Sequence, residues 1–312
     1  MRTRIPFLIV AALFAALTFS IQTSAQADTF GTSGNEFTID FVDIGNTSNA
    51  ADTTGYGAVP YQYRVGTYEV SQYAMDKATA SGMANVTAGA WTGNQPAANI
   101  TWYEAAAFVN WLNTSTGKQA AYDLAWTGSA WNMNLWSSAQ AWQVGGENLY
   151  RNKDAFYFLP SEDEWYKAAY YNPAGSDYFL YPTASNDAPT AVASGTTSGT
   201  AVYAFGANGP APVTMAGGLG PYDTVGQGGN VWEWMETAWD GFNTNALLIR
   251  AWRGGAYTDQ EYSLRTSSRS NDYPGDDNFI LGLRVASVPE PSTYALLAMT
   301  AAGALWMTRR RR

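Results

Sequence analysis

Apolar and polar residues alternate along Phe37 to Val42 and again along Tyr63 to Val70, and this period of two predicts short strands at both places. The pattern changes at Thr101. Thr101-Trp102-Tyr103-Glu104 has the form of a capping box, a threonine cap followed three residues later by glutamate. Apolar side chains then recur at Ala107, Phe108, Trp111 and Leu112 with helical spacing. Ser161-Glu162-Asp163-Glu164 repeats that start and leads into Trp165, Ala168 and Ala169, which predicts a second amphipathic helix. Its three acids suit the positive end of the helix dipole. Thr183 to Gly220 is rich in Ala, Ser, Thr, Gly and Pro and reads as surface loops inside one domain. No repeat of solenoid length is evident.

The two ends follow other patterns. Arg2 and Arg4 precede an apolar run from Pro6 to Phe19, too short for a comfortable bilayer span. Ala25-Gln26-Ala27 then offers a small-x-small cleavage site before Asp28, so residues 1–27 are expected to be a signal peptide processed at Ala27. At the other end, Val288-Pro289-Glu290-Pro291-Ser292 precedes the apolar stretch Tyr294 to Met307 and four closing arginines. A spanning helix takes roughly 20 apolar residues, so this one is short, and its basic end belongs on the cytoplasmic side. The three-part arrangement resembles the PEP-CTERM sorting signal of Gram-negative bacteria. That resemblance implies Pro289, Glu290 and Pro291 as the processing motif and a membrane exosortase as partner. It also implies transient anchoring by a short transmembrane helix, then a cell-surface or extracellular destination. The expected organisation is therefore 1–27 signal peptide, 28–287 working domain and 288–312 sorting tail.

Composition narrows what the domain does. With 46% hydrophobic and 14% charged residues, the chain has enough apolar material for a sizeable core. The formal charge is −9, but without the six terminal arginines and Glu290 it is 11 basic against 25 acidic residues, a net of −14. Such a surface repels phosphate backbones, so nucleic acid is not an expected partner. There is no cysteine and no histidine. Disulfides, thiol chemistry, a Ser–His pair and His-ligated zinc, iron or copper are all excluded at the residue level. Twelve of the 13 tryptophans lie in the domain, and Trp126, Trp131, Trp136 and Trp142 crowd one segment. Packing accounts for most of them, with Trp126 and Trp131 as surface candidates for stacking on sugar rings. The acidic loop with Asp272, Asp276 and Asp277 reads as solvated.

Six ordered segments of the domain resemble the formylglycine-generating enzyme, or sulfatase-modifying factor, family. They are Tyr63 to Val70, Pro96 to Trp102, Phe158 to Trp165, Gly229-Asn230-Val231-Trp232-Glu233-Trp234, Arg253-Gly254-Gly255-Ala256-Tyr257, and Arg265 with Arg269 and Gly282 to Val285. The resemblance implies an α+β, C-type-lectin-like fold, loop-rich with few regular elements. In the family's copper enzymes two cysteines follow the Gly-Gly turn; Asp259 falls near the first position and Leu264 at the second. A carboxylate and a leucine do not replace two thiolates for a soft Cu(I) ion. The family's ergothioneine-pathway branch uses a histidine-ligated iron centre, and the chain has no histidine. Neither copper nor iron is therefore expected. The resemblance also implies a calcium site from the Asp223 side chain, the Gly229 and Val231 carbonyls and the Glu233 carboxylate, all hard oxygen donors. Extra residues around Gln227-Gly228 separate Asp223 from the rest. The expectation is an exported, non-catalytic binding module for polysaccharide at the cell surface or in the extracellular matrix, stabilised by calcium. The alternative is an oxidoreductase-type sulfatase-modifying enzyme or a divergent enzyme of the same family.

Overall fold

A computed structural model describes residues 26–289. Residues up to Ala25, where a signal peptide is expected, and Glu290, Pro291 and the apolar tail, lie outside the described residues. In chain order the first half contains β1 (Gln26–Phe30), β2 (Phe37–Ile44), β3 (Tyr63–Gly66), α1 (Gln72–Ala80) and α2 (Trp102–Ser115). These are followed by β4 (Asp123–Trp126), β5 (Trp131–Asn134), β6 (Ala141–Trp142), β7 (Asn148–Asn152), β8 (Tyr157–Phe158) and α3 (Glu162–Tyr170). The second half holds β9 (Tyr171–Asn172), β10 (Asp177–Tyr178), β11 (Thr190–Ala191), β12 (Thr200–Ala201), β13 (Trp232–Ala238), β14 (Arg250–Arg253), β15 (Ser270–Asp272), β16 (Leu281–Gly282) and β17 (Ala286–Ser287). Helix and strand mix, and loops occupy the long stretches between them, as the α+β expectation required.

Two sheets organise the domain. One runs β1-β2-β3-β17-β8 and closes the chain on itself, because β17, near the end, inserts between β3 and β8. The other runs β15-β14-β13-β16 and carries the Trp232 to Trp234 segment in its interior strand. The predicted strand at Phe37 extends two residues further than expected, to Ile44. The one at Tyr63 stops at Gly66, four residues before Val70. Beyond it the backbone leaves the ladder: Thr67 N–H donates to Asp40 O, and Val70 N–H to Leu283 O.

Both predicted helices form where expected. Thr101 and Ser161 cap α2 and α3 with complete capping boxes through Glu104 and Glu164, each cap contributing about 1 kcal/mol. Buried Ala105, Phe108, Val109 and Leu112 of α2 face a core built with Phe41, Phe158, Trp234 and Leu283. Helix α1, started by Ser71 over Ala74 N–H, has no strong apolar stripe and was not predicted. Trp126 and Trp131 sit opposite each other in the β4–β5 hairpin with ring centroids 5.3 Å apart. Trp126 is exposed and Trp131 is half-buried.

Candidate functional site

The Gly229 to Trp234 segment starts with two residues in the left-handed region, Gly229 (φ 83°) and Asn230 (φ 59°). A Cβ at Gly229 would lie 2.1 Å from Val202 O, so only glycine lets the chain pass there. Asn230 joins three segments. Its Oδ1 accepts from Ala211 N–H (2.8 Å), its Nδ2 donates to Glu69 (2.6 Å), and its carbonyl accepts from Tyr257 N–H. Burial and the nearby Glu233 carboxylate push the Glu69 carboxyl well above the usual range.

Glu233 is fully buried. Its oxygens accept from Arg284 Nη2 at 2.8 Å, from Arg284 Nε at 3.1 and 3.2 Å, and from the Trp165 indole N–H at 2.6 Å. Arg284 also donates to Gly66 O and Val225 O, so this knot ties β13 to α3, to β3 and to the loop before the motif. Asp223 is exposed, with φ 62°, its N–H donating to Gly220 O. The four positions implied for calcium do not fit that ion as placed, because the one buried carboxylate among them is the counter-ion of a guanidinium. No group of three or more Asp or Glu side chains positioned to hold a metal occurs among the described residues.

The positions that match the copper-binding cysteines also have definite occupants. Asp259 Oδ2 accepts from the Trp232 indole N–H (2.7 Å) and from Ala256 N–H (3.0 Å), closing the turn after Gly254-Gly255. Burial raises its carboxyl above the usual range. Leu264 is completely buried and packs with Tyr181 and Ala201. Both positions have become structural.

The acids at the start of α3 do more than suit a helix dipole. Glu162 receives Arg253 at 2.7 Å and Arg269 at 2.7 Å. Glu164 is bound by Arg151 at 2.8 Å, and Arg151 reaches Glu236 of β13 at 2.6 Å. Burial alone would raise the Glu164 carboxyl, but the Arg151 guanidinium brings it below its ordinary value. Burial outweighs the same arginine at Glu236, which lies above it. Tyr61 O–H donates to Glu164 and Tyr122 O–H to Glu236.

Above this knot opens a polar cleft of about 190 Å³, lined by Tyr61, Trp142, Asn148, Arg151, Asp163 and Asn243 among others. The Tyr61 and Trp142 rings meet edge to face, 5.4 Å apart. The donors of Arg151 are committed to Glu164, Glu236 and the Leu159 carbonyl. Asp163 accepts from Gly57 N–H and is raised by burial, and no cation lies within ion-pair distance of it among the described residues. The cleft thus brings the Tyr61 and Trp142 side chains and the Asp163 carboxyl to one polar concavity. Sequence patterning placed Trp142 among packing residues and overlooked Tyr61, Arg151 and Glu69. The available signal was a charge inside or beside an apolar run, as at Glu69 in Tyr63 to Val70.

Mixed sheets in a loop-rich frame, pinned by buried arginine–acid knots, define the class: a single domain of the formylglycine-generating type. The chain belongs to the sulfatase-modifying factor enzyme 1-like domain family, whose model matches residues 20–288. A PEP-CTERM protein-sorting motif matches residues 287–312, which marks the chain for export and exosortase sorting at the membrane of a Gram-negative bacterium. Similar solved structures include Treponema denticola variable protein 1, at 20% identity over 85% of this chain and 100% of that one, with a TM-score of 0.57. CarF is similar at 18% identity, 81% and 99% coverage and a TM-score of 0.56. PvdO from Pseudomonas aeruginosa is similar at 15% identity, 84% and 98% coverage and 0.52. At these identities the likeness establishes the fold. No curated protein sequence matches the chain. Among the described residues no helix is long and apolar enough to cross a membrane.

Proposed function

We propose that this chain is an exported, non-catalytic family member that binds polysaccharide at the cell surface or in the extracellular matrix, using the cleft over Arg151. The observation that carries the reading is the structural use of Asp259 and Leu264 at the positions of the copper-binding thiolates. With those positions closed, the cleft is a polar concavity that could receive a ligand, and its Tyr61 and Trp142 rings suit a sugar. The acidic net charge and the fully engaged Arg151 favour neutral over acidic glycans.

Glycan-array binding of the purified domain is the direct test. Neutral oligosaccharides are expected to bind, and Trp142→Ala is expected to weaken binding about 10-fold, a loss within the range of one aromatic contact in a binding site. Conversion of a cysteine-containing sulfatase peptide to formylglycine by the same protein would instead establish the oxidase reading.

A further inference from the structure

The charges around the cleft do not balance. Glu147 and Asp163 line it, and among the described residues Arg151 is the cation that does. Glu164 and Glu236 stand behind that guanidinium and bind it. One guanidinium is thus set among four carboxyl groups. Burial raises the Glu236 carboxyl, yet with a proton there the carboxylates still outnumber the cation. Arg253 and Arg269 do not line the cleft. Both are committed to Glu162, and further to the carbonyls of Thr266, Ser268 and Trp239.

Asp163 is the acid with an open oxygen. Its Oδ1 accepts from Gly57 N–H at 2.8 Å, which fixes the carboxyl beside the 58–61 segment of the cleft wall. No bond to its Oδ2 occurs among the described residues. Burial raises this carboxyl, and Glu162 and Glu164 add to the rise against the Gly57 N–H. A carboxylate so placed gains from a cation beside it. Other polar groups of the wall already bond within the protein: Asn148 Nδ2 donates to Glu236, Asn243 Nδ2 donates to Asn148 Oδ1, and Ser161 Oγ accepts from Glu164 N–H.

We infer that the glycan received here carries free amino groups: a hexosamine whose ammonium pairs with Asp163 while its ring lies against Tyr61 and Trp142. The inference rests on the polysaccharide reading of the cleft and adds the sign of the ligand's charge. An ammonium brings three donors to a wall whose open valence is an acceptor, and it offsets the surplus of carboxylates. An N-acetylated sugar brings one amide N–H and no charge. A sugar acid adds to the surplus.

Calorimetric titration of the full chain in non-ionic detergent reads the preference. The probes are a glucosamine tetramer and its fully N-acetylated counterpart, in weakly acidic buffer that keeps the amines charged. The amine form is expected to bind at least about 10-fold more tightly, the effect of one charge-assisted hydrogen bond. Asp163→Asn keeps an oxygen for the Gly57 N–H but removes the charge, and is expected to bring the ratio of the two affinities close to one. Asp154→Asn, at an exposed acid outside the cleft, is expected to keep the original ratio. Equal binding of both glycans by the unaltered protein overturns the inference and leaves the polysaccharide reading standing. A preference that survives Asp163→Asn, or that Asp154→Asn also abolishes, belongs to the acidic surface at large and overturns the inference as well. Binding of neither glycan overturns the polysaccharide reading, and the inference with it.

Discussion

Replacing Arg284 by methionine isolates the most deeply buried ion pair. Both partners are 0% exposed, and the guanidinium serves Glu233 along with the Gly66 and Val225 carbonyls. Methionine keeps much of the stem volume but leaves a buried carboxylate without its cation, held by the Trp165 N–H, and two carbonyls without their Arg284 donor. Breaking one partner of a buried pair costs about 3–5 kcal/mol, and in a domain of this size each kcal/mol moves the melting temperature by about 2–4 °C. The expected fall is therefore roughly 6–20 °C, from those two ranges combined. The assay is urea unfolding and thermal melting of Arg284→Met, Glu233→Gln and the double variant. The neutral amide removes the stranded charge, so the double variant is expected to be more stable than Arg284→Met alone. A loss under about 1 kcal/mol, typical of an exposed pair, or strict additivity in the cycle, would refute the view of Glu233 as Arg284's counter-ion.

Four further outcomes follow from the same geometry. Arg250, buried without a carboxylate partner among the described residues, lies over the Trp102 and Tyr150 rings at 4.5 and 4.2 Å, so Arg250→Met is expected to cost clearly less than Arg284→Met by the same melts, since it strands no charge. Chelator or added calcium is expected to leave the melting temperature unchanged, and a rise with calcium that Glu233→Gln abolishes would reinstate a cation at that residue. The Glu69 carboxyl is raised on folding, chiefly by burial and then by Glu233, so its contribution is whole below the unfolded value near 4.3 and falls as pH rises towards the folded value; Glu69→Gln is expected to flatten that slope in urea melts. Lys167 runs the other way: burial lowers its ammonium to about 8, so stability is expected to rise between about pH 8 and 10 as the unfolded chain holds the extra proton, and Lys167→Met is expected to remove that rise.

How much of this was legible in the sequence depended on whether the cause was local. Thr101 and Ser161 announced their helices because a cap and its glutamate lie three residues apart, and the structure completes both boxes. The early strands were visible as alternation, but their ends were not. The Tyr63 strand runs only to Gly66, the last residue that β2 pairs, and its other neighbour, β17, lies about 220 positions later. The site was read through the same limit. The resemblance implied Glu233 as a calcium ligand, and the partner it meets in the fold, Arg284, lies 51 residues away. The cleft was missed because Tyr61, Trp142, Asp163 and Asn243 come from four separate segments.

The three acids of Glu162-Asp163-Glu164 show why local reading understated this fold. A helix start accounts for carboxylates in the first turn, each worth a few tenths to about 1 kcal/mol when exposed. Here Glu162 and Glu164 are instead buried and face Arg253 of β14, Arg269 just before β15, and Arg151 of β7. A helix of nine residues thereby fixes β7, β13 and β14 around itself. A chain without cysteine has no disulfides to hold its long loops, and paired charges between remote segments supply directional constraints of comparable reach. Desolvation makes such pairs poor net stabilisers, so their effect is to specify which segments meet. On that argument the knots position the cleft: Arg151 sets its floor, and the contacts that fix the floor engage each nitrogen of the guanidinium, the cation an acidic ligand would need.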